Sequence, residues 1–435
     1  MNALAAHPSR SESGRGLRRS GVLVASLLLT STALAQYHPT PPPEVSRGEA
    51  PPPQALQWLE QQKARVSPRD FELLRRGQAT LYANILDGPW RPLRGICPSP
   101  YMYLGIWNWD AAFHAMAVAR WDGQLAREQI QIFLDRQTPT GGFIDVAFQD
   151  GNQVDSFGKP PVMPWVCMIV HRRSRDVAFL KAAYPKFVAY ERHWREQQGG
   201  QAEGLFHYGG PEPYFEAGWD NSVRWDPRRE DCADLWPIDL NCYMGLVYRS
   251  LAEMAAAVGE KRDVRHWRRR ANELTRQIHD RLWDEAQGAY VDRHRRTKEF
   301  SRVLSPASFM PLYVKIAPRS RAGRLAALAR DPAKFFPGMP TVAYDHPAYR
   351  SSEYWRGPAW LNVSYLALKG LKRYGYRDTA EQMRQTLLGW CALNQDTLWE
   401  YYDSKNGKGL GTRQYGRTGA WVIEFVLNWD EANDP

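Results

Sequence analysis

Pro237-Ile-Asp-Leu-Asn-Cys-Tyr-Met-Gly-Leu-Val-Tyr-Arg-Ser-Leu-Ala-Glu-Met-Ala-Ala-Ala-Val258 is followed, after Gly259-Glu260, by a second long run over 261–283. Apolar residues recur at three- and four-residue spacing through both, which predicts two helices joined as a hairpin. The same period predicts helices over 55–66, 68–85, 110–121, 125–137, 161–171 and 177–197. It returns over 305–316, 320–329, 358–374, 378–393 and 418–429. Few strands are expected, with short extended pieces around 204–207 and 289–293. No Gly/Pro-rich break divides the series, so the hairpins predict one closed all-α array. Six inner–outer pairs would make a single (α/α)6 toroid, with long aromatic-rich loops crowded over one end.

The composition agrees with a globular chain. Of 435 residues, 43% are hydrophobic and 24% charged. The departure is in the 18 Trp and 21 Tyr, amphipathic rings that suit a wet, concave surface for sugars. The formal charge is +10, of which the first 35 residues carry +3. The remaining positives are scattered, as in Arg268-Arg269-Arg270, within amphipathic helical patterns. That is a solvated helix face and not a nucleic-acid stripe.

The start of the chain reads as an export signal over 1–35. Arg15, Arg18 and Arg19 precede the apolar run 22–29, and Ala33-Leu34-Ala35 offers a cleavage site before Gln36. The apolar run is short for a membrane span, so no stable insertion is expected after cleavage, and the location is periplasmic or secreted. A Pro-rich tether (36–53) follows, then one domain over 54–435. Cys97, Cys167, Cys232, Cys242 and Cys391 form no Cys-x-x-Cys pair, which argues against zinc. Cys232 and Cys242 leave two readings, a bridge or buried thiols.

Chemistry concentrates in loop-like segments mixing aromatics with charge. In Pro213-Tyr-Phe-Glu-Ala-Gly-Trp-Asp-Asn-Ser-Val-Arg-Trp-Asp226, Gly218 permits a sharp turn before Trp219 and Asp220. A carboxylate among indoles is partly desolvated, which raises its pKa toward the range a general acid needs. Glu216 and Arg224 lie in the same stretch. Asp-Asn-Ser is also a turn and N-cap sequence.

Tyr101 to His114 holds Trp107, Trp109 and Asp110, the last at an expected helix start where a cap is the alternative reading. Lys159 precedes Pro161, expected at a first helical position. A cation there is poorly placed unless an anion or carboxylate faces it; an exposed loop lysine is the plainer reading. In Glu353-Tyr-Trp-Arg-Gly-Pro-Ala-Trp360, Pro358 is expected to open a helix. Trp355 and Trp360 bracket Arg356, whose fork suits a carboxylate or sugar hydroxyls. Glu400 lies between Trp399 and Tyr401 at the end of a helical run, before Asp403 in an Asx-type turn. Asp220 and Glu400 are thus two carboxylates in aromatic surroundings, the pair that glycoside hydrolysis requires.

The motifs Tyr103 to His114, Phe215 to Asp226, Tyr354-Trp-Arg-Gly-Pro-Ala-Trp360 and Glu400-Tyr-Tyr-Asp403 resemble one clan. It holds the (α/α)6-barrel α-glycosidases of glycoside hydrolase family 63, the trehalases and the mannosylglycerate hydrolases. The resemblance implies an inverting hydrolase with Asp220 as general acid and Glu400 as general base. It places Trp109, Asp110 and Gly218 in the sugar subsite and Glu216, Trp355 and Arg356 nearby. Two departures stand out. Tyr415-Gly-Arg-Thr418 has Arg417 where the family has Trp, and Asn406 to Gly411 replaces a trehalase stretch.

The expected function is an exported inverting α-glycosidase acting on α-glucosidic disaccharides or oligosaccharides, with no metal or cofactor. The alternatives are a trehalase or mannosylglycerate-type hydrolase, a polysaccharide lyase, and a non-catalytic sugar-binding relative.

Overall fold

Ile238–Val258 is a helix buried on nearly every side, whereas its successor Lys261–Arg281 buries only Trp267, Ala271, Leu274 and Ile278. This contrast, seen in a computed structural model that describes residues 48–431, sorts the helices into two layers. A helix apolar all round belongs inside, and one with a single apolar stripe belongs outside. Each large side chain on that stripe contributes about 1.5–3 kcal/mol on burial. Gly259, at φ +91°, ends the first helix and reverses the chain.

Six outer–inner pairs repeat the arrangement: α1 (Pro68–Ala83) with α2 (Asn108–Val118), and α3 (Gly123–Leu134) with α4 (Met163–Ser174). Then come α5 (Val177–Gln197) with α6 (Ile238–Val258), and α7 (Lys261–Arg281) with α8 (Met310–Tyr313). Last are α9 (Arg319–Arg330) with α10 (Leu361–Arg373), and α11 (Arg377–Leu393) with α12 (Gly416–Leu427). Each even-numbered helix packs on the next, and α12 packs back on α2. The ring is closed, as the sequence predicts.

The links at the two ends differ. From each inner helix to the next outer one the chain turns quickly, as at 119–122, 175–176 and 374–376. From each outer helix to the next inner one it runs through long segments: 84–107, 135–162, 198–237, 282–309, 331–360 and 394–415. All six long segments therefore end at inner-helix N-termini, on one face of the ring. Within them the strands are two or three residues long, such as Gly105–Trp107 against Val146–Phe148, and Tyr401–Tyr402 against Gly409–Leu410.

Several expectations shift. The segment 305–316 is not one helix: Pro306–Phe309 is a 3-10 turn and α8 is one turn long, because Pro306 and Pro311 lack the N–H that would continue it. Pro161 does not open α4, which starts at Met163 with Pro164 in its first turn. Pro358 opens no helix either. Ala359 pairs with Tyr402 through bonds of 2.8 and 3.1 Å, and α10 begins only at Leu361. Residues 204–207 form no strand, since Asn241 takes both polar groups of the Phe206 backbone. Cys232 and Cys242 are both buried free thiols.

The expected signal lies outside the described residues, as does most of the Pro-rich stretch. Where that stretch enters them it is docked. The Glu49 N–H donates to the Tyr82 carbonyl at 3.1 Å, and Pro53 opens the helix Pro53–Gln62. Among the described residues no helix is long and apolar enough to cross a membrane.

Candidate active site

The long segment between α5 and α6 carries Asp220. Pro213–Ala217 forms one helical turn, stopped by Gly218 at φ +68°. Glycine is needed there twice over: the φ is left-handed, and a Cβ would come within 2.7 Å of the Trp109 ring. Two residues on, Asp220 is only partly buried, while Trp219 beside it is fully buried.

Asn221 fastens this loop to the segment before α10. Its side-chain oxygen accepts from the Trp355 N–H at 2.9 Å, and its carbonyl from Arg356 at 3.2 Å. Arg356 also donates twice to Asp226, at 2.9 and 2.8 Å. The guanidinium expected to grip a ligand carboxylate or sugar thus grips one of the protein's own. The same correction applies to Arg224. It is buried between the Trp219 and Trp225 rings, 4.8 and 4.6 Å away, and makes four bonds of 2.7–2.9 Å to Asp239 and Asp292. It braces the loop from beneath and has little left to offer a sugar. Glu216, buried too, accepts from Gly209 N–H at 2.7 Å and Gln198 at 2.9 Å, pinning the neighbouring loop.

Lys159 is buried and not an exposed loop lysine. A carboxylate does face it: Asp145 lies 3.2 Å away, and the Phe215 carbonyl accepts at 2.5 Å. The Lys159 charge favours the ionised forms of Asp110, Asp145 and Asp220.

Glu400 sits before the strand Tyr401–Tyr402 and not at a helix end. Its two oxygens accept from the Tyr103 hydroxyl at 2.9 Å and the Thr412 N–H at 3.1 Å. Asp403 forms the expected Asx turn, accepting from the Lys405 N–H at 2.8 Å. Burial pushes the Glu400 carboxyl up to about 7, against the Thr412 N–H, Arg417 and Tyr103, which favour the anion. Burial likewise holds Asp220 above the usual carboxylate range, against the cations Lys159 and Arg417. Asp145 and Glu216 are each pushed up to about 7 by burial.

Asp220 and Glu400 border a region shared by the same side chains. Both push the Tyr354 phenol well above its ordinary value, after burial, and both are drawn toward ionisation by Arg417. A stack of rings spans the two loops. Trp219 lies on Trp355 at 4.8 Å, Trp355 on Trp360 at 4.0 Å, and Trp360 on Tyr401 at 4.9 Å. It runs from the residue before Asp220 to the residue after Glu400.

Trp109 and Asp110 reach this space from the first turn of α2; Asp110 is inside that helix and is not its cap. Trp107 is buried against Tyr103 and Phe148 at 5.3 and 5.6 Å. Tyr103, Asp145, Tyr354 and Thr412 were not among the expected site residues, and Arg417 stood only as a departure from the family's Trp. Tyr103 and Tyr354 stood within the motifs, but nothing in the sequence aims a hydroxyl at Glu400. Nor does it show that Tyr354 adopts φ +37°, a strained conformation of the kind that clusters at functional sites.

An all-helical double ring with two buried or half-buried carboxylates at the ends of an indole stack suits the hydrolysis of glycosidic bonds. A profile of the mannosylglycerate hydrolase MGH1-like glycoside hydrolase domain matches residues 103–418, and the chain belongs to that family. It is a glycoside hydrolase. The mannosylglycerate hydrolase of Rubrobacter radiotolerans is 24% identical over 415 residues, covering 76% of this chain and 92% of that protein. A Salmonella periplasmic trehalase is 29% identical over 209 residues, 46% of this chain and 36% of the trehalase. In three dimensions the chain resembles the GH63 mannosylglycerate hydrolase of Thermus thermophilus in complex with glucose, with a TM-score of 0.70 at 22% identity, covering 81% of this chain and 99% of that one. The neutral trehalase of Saccharomyces cerevisiae gives 0.65 at 16% identity, covering 83% and 79%.

Proposed function

We propose that the chain is an exported, inverting α-glycosidase. Asp220 donates its proton to the glycosidic oxygen as the bond from that oxygen to the anomeric carbon breaks. Water attacks the anomeric carbon from the opposite face and gives its proton to Glu400. Solvent then restores the protonated Asp220 and the ionised Glu400. The reading is carried by the ring stack that runs from the residue before Asp220 to the residue after Glu400, which brings two carboxylates 180 residues apart in the chain to one aromatic region. Burial raises both carboxyls, and Glu400 alone accepts from two fixed donors, the Tyr103 hydroxyl and the Thr412 N–H. A pair of carboxyl groups, one to give a proton and one to take it, is what the reaction needs.

The favoured substrates are α-glucosidic disaccharides or oligosaccharides. A second reading, an α-mannoside of glycerate, is supported by the family profile and by likeness to mannosylglycerate hydrolases over most of their length. The test incubates the purified protein with maltose, kojibiose, nigerose, trehalose and mannosylglycerate, following the released anomer by NMR. Initial release of the β-anomer from an α-linked substrate is expected. Initial α-anomer would overturn inversion, and no hydrolysis of any of the five would overturn the substrate assignment. Export is tested by fractionation of the native host, where recovery of the unprocessed chain in the cytosol would contradict it.

A further inference from the structure

Arg417 stands at the start of α12, in the wall of this space. Its guanidinium carbon lies 4.5 Å from the centre of the Trp109 ring, 5.0 Å from Trp360 and 5.2 Å from Tyr415. One nitrogen donates to the Tyr415 hydroxyl at 2.6 Å. The side chain is buried, yet Nε and Nη1 have no hydrogen-bond partner within the protein. Asp110 Oδ1 lies 3.4 Å from Nε, an ion-pair contact without hydrogen-bond geometry, and that oxygen too has no hydrogen-bond partner in the protein.

Buried polar groups are nearly always paired, and an unpaired one is costly. Here a donor and an acceptor that lack hydrogen bonds stand side by side as an ion pair, flanked by aromatic faces. Two neighbouring hydroxyls of a sugar ring complement such a pair, since a hydroxyl both accepts and donates. An acidic sugar does not. Its carboxylate would reach Arg417 only beside Asp110 and within the field of Glu400, two carboxyl groups that already act on this guanidinium.

We infer that Arg417 and Asp110 together grip two neighbouring hydroxyls of a neutral sugar ring, which makes Arg417 a specificity-determining residue that turns acidic sugars away. The inference rests on the glycosidase reading only in that a sugar enters this space. It concerns which sugar is held, whatever Asp220 and Glu400 then do to it.

The test is a ligand-observed NMR titration of the whole protein with D-glucose, D-mannose, D-glucuronate and the 2-, 3-, 4- and 6-deoxy forms of glucose. Wild type is compared with Arg417→Met and Arg417→Lys, each first checked for fold by its thermal transition. At least one deoxyglucose is expected to bind wild type about tenfold or more weakly than glucose, the worth of a hydrogen bond to a charged group. In Arg417→Met that discrimination should vanish, and Arg417→Lys should restore part of it. A purely structural role would weaken every sugar by one common factor, and that result would overturn the proposal. Glucuronate is expected to bind wild type at least tenfold more weakly than glucose; tighter binding of the acid overturns it as well, as does wild type binding neither glucose nor mannose. The deoxyglucose and glucuronate comparisons in wild type need no variant, so they decide the matter even if Arg417→Met fails to fold. Hydrolysis is scored separately with Asp220→Asn. A variant that still turns over at the wild-type rate sinks the catalytic assignment and leaves these binding differences standing.

Discussion

The Tyr103 hydroxyl donates to Glu400 Oε1 at 2.9 Å, joining the end of the long segment before α2 to the one before α12. The phenol is itself held well above its ordinary value by burial and by Glu400, so it stays neutral and acts as a donor. The bond favours the Glu400 anion. Tyr103→Phe should therefore raise the Glu400 pKa from its value near 7. A base must be ionised to work, so the acidic limb of the kcat/KM profile should move to higher pH. Activity at pH 6 should fall about tenfold or more, the worth of a charge-assisted hydrogen bond. An unmoved limb would separate Tyr103 from the base.

Asp220→Asn and Glu400→Gln should each cost about 10²–10⁴-fold in kcat, with opposite dependence on the leaving group. Aryl α-glycosides with acidic phenols need little protonation, so Asp220→Asn should recover much of its activity on them. Glu400→Gln should not. Steady-state rates on a series of such glycosides check the pair, and equal recovery of both variants would contradict the assigned roles.

Arg224 should matter to stability more than to sugar affinity. Arg224→Met leaves Asp239 and Asp292 buried without their cation, a change that costs about 3–5 kcal/mol. Urea unfolding should show this loss, while any variant that remains folded keeps a KM within a few-fold of wild type. A large rise in KM with unchanged stability would return Arg224 to the sugar.

Glu216 ties stability to pH. Its carboxyl is raised by burial from 4.5 to about 7 in the folded chain. The native state holds this proton over a range where the unfolded chain has released it, so stability is fully present below the unfolded value. It is lost as pH rises toward the folded value. Thermal transitions measured from pH 4.5 to 7.5 should fall as pH increases, and Glu216→Gln should flatten the fall. An unchanged slope in the variant would show that Glu216 does not titrate there.

The ring was legible because its evidence is local: each helix announces itself by spacing, and 177–197 and 261–281 lie close to their expected bounds. The one-turn α8 was not, since Pro306 and Pro311 interrupt a pattern whose apolar spacing continues across them. The aromatic neighbours of the two carboxylates were legible; Lys159 was not, since the plainer reading made it an exposed loop lysine and it is buried against Asp145. Arg224 and Arg356 were misread for a physical reason. Among tryptophans a guanidinium looks the same whether it awaits a sugar or is already paired. Asp239 and Asp292 stand 15 and 68 residues from Arg224, and Asp226 is 130 from Arg356. Sequence carries no direct trace of such pairings.

The four rings from Trp219 to Tyr401 act as a spacer bar between the loop of one carboxylate and the strand of the other. Flat faces in contact resist both compression and spreading. A smaller side chain at Trp355 or Trp360 would remove one thickness of that bar, so the interval between Asp220 and Glu400 depends on ring thickness as well as on the helices behind the loops.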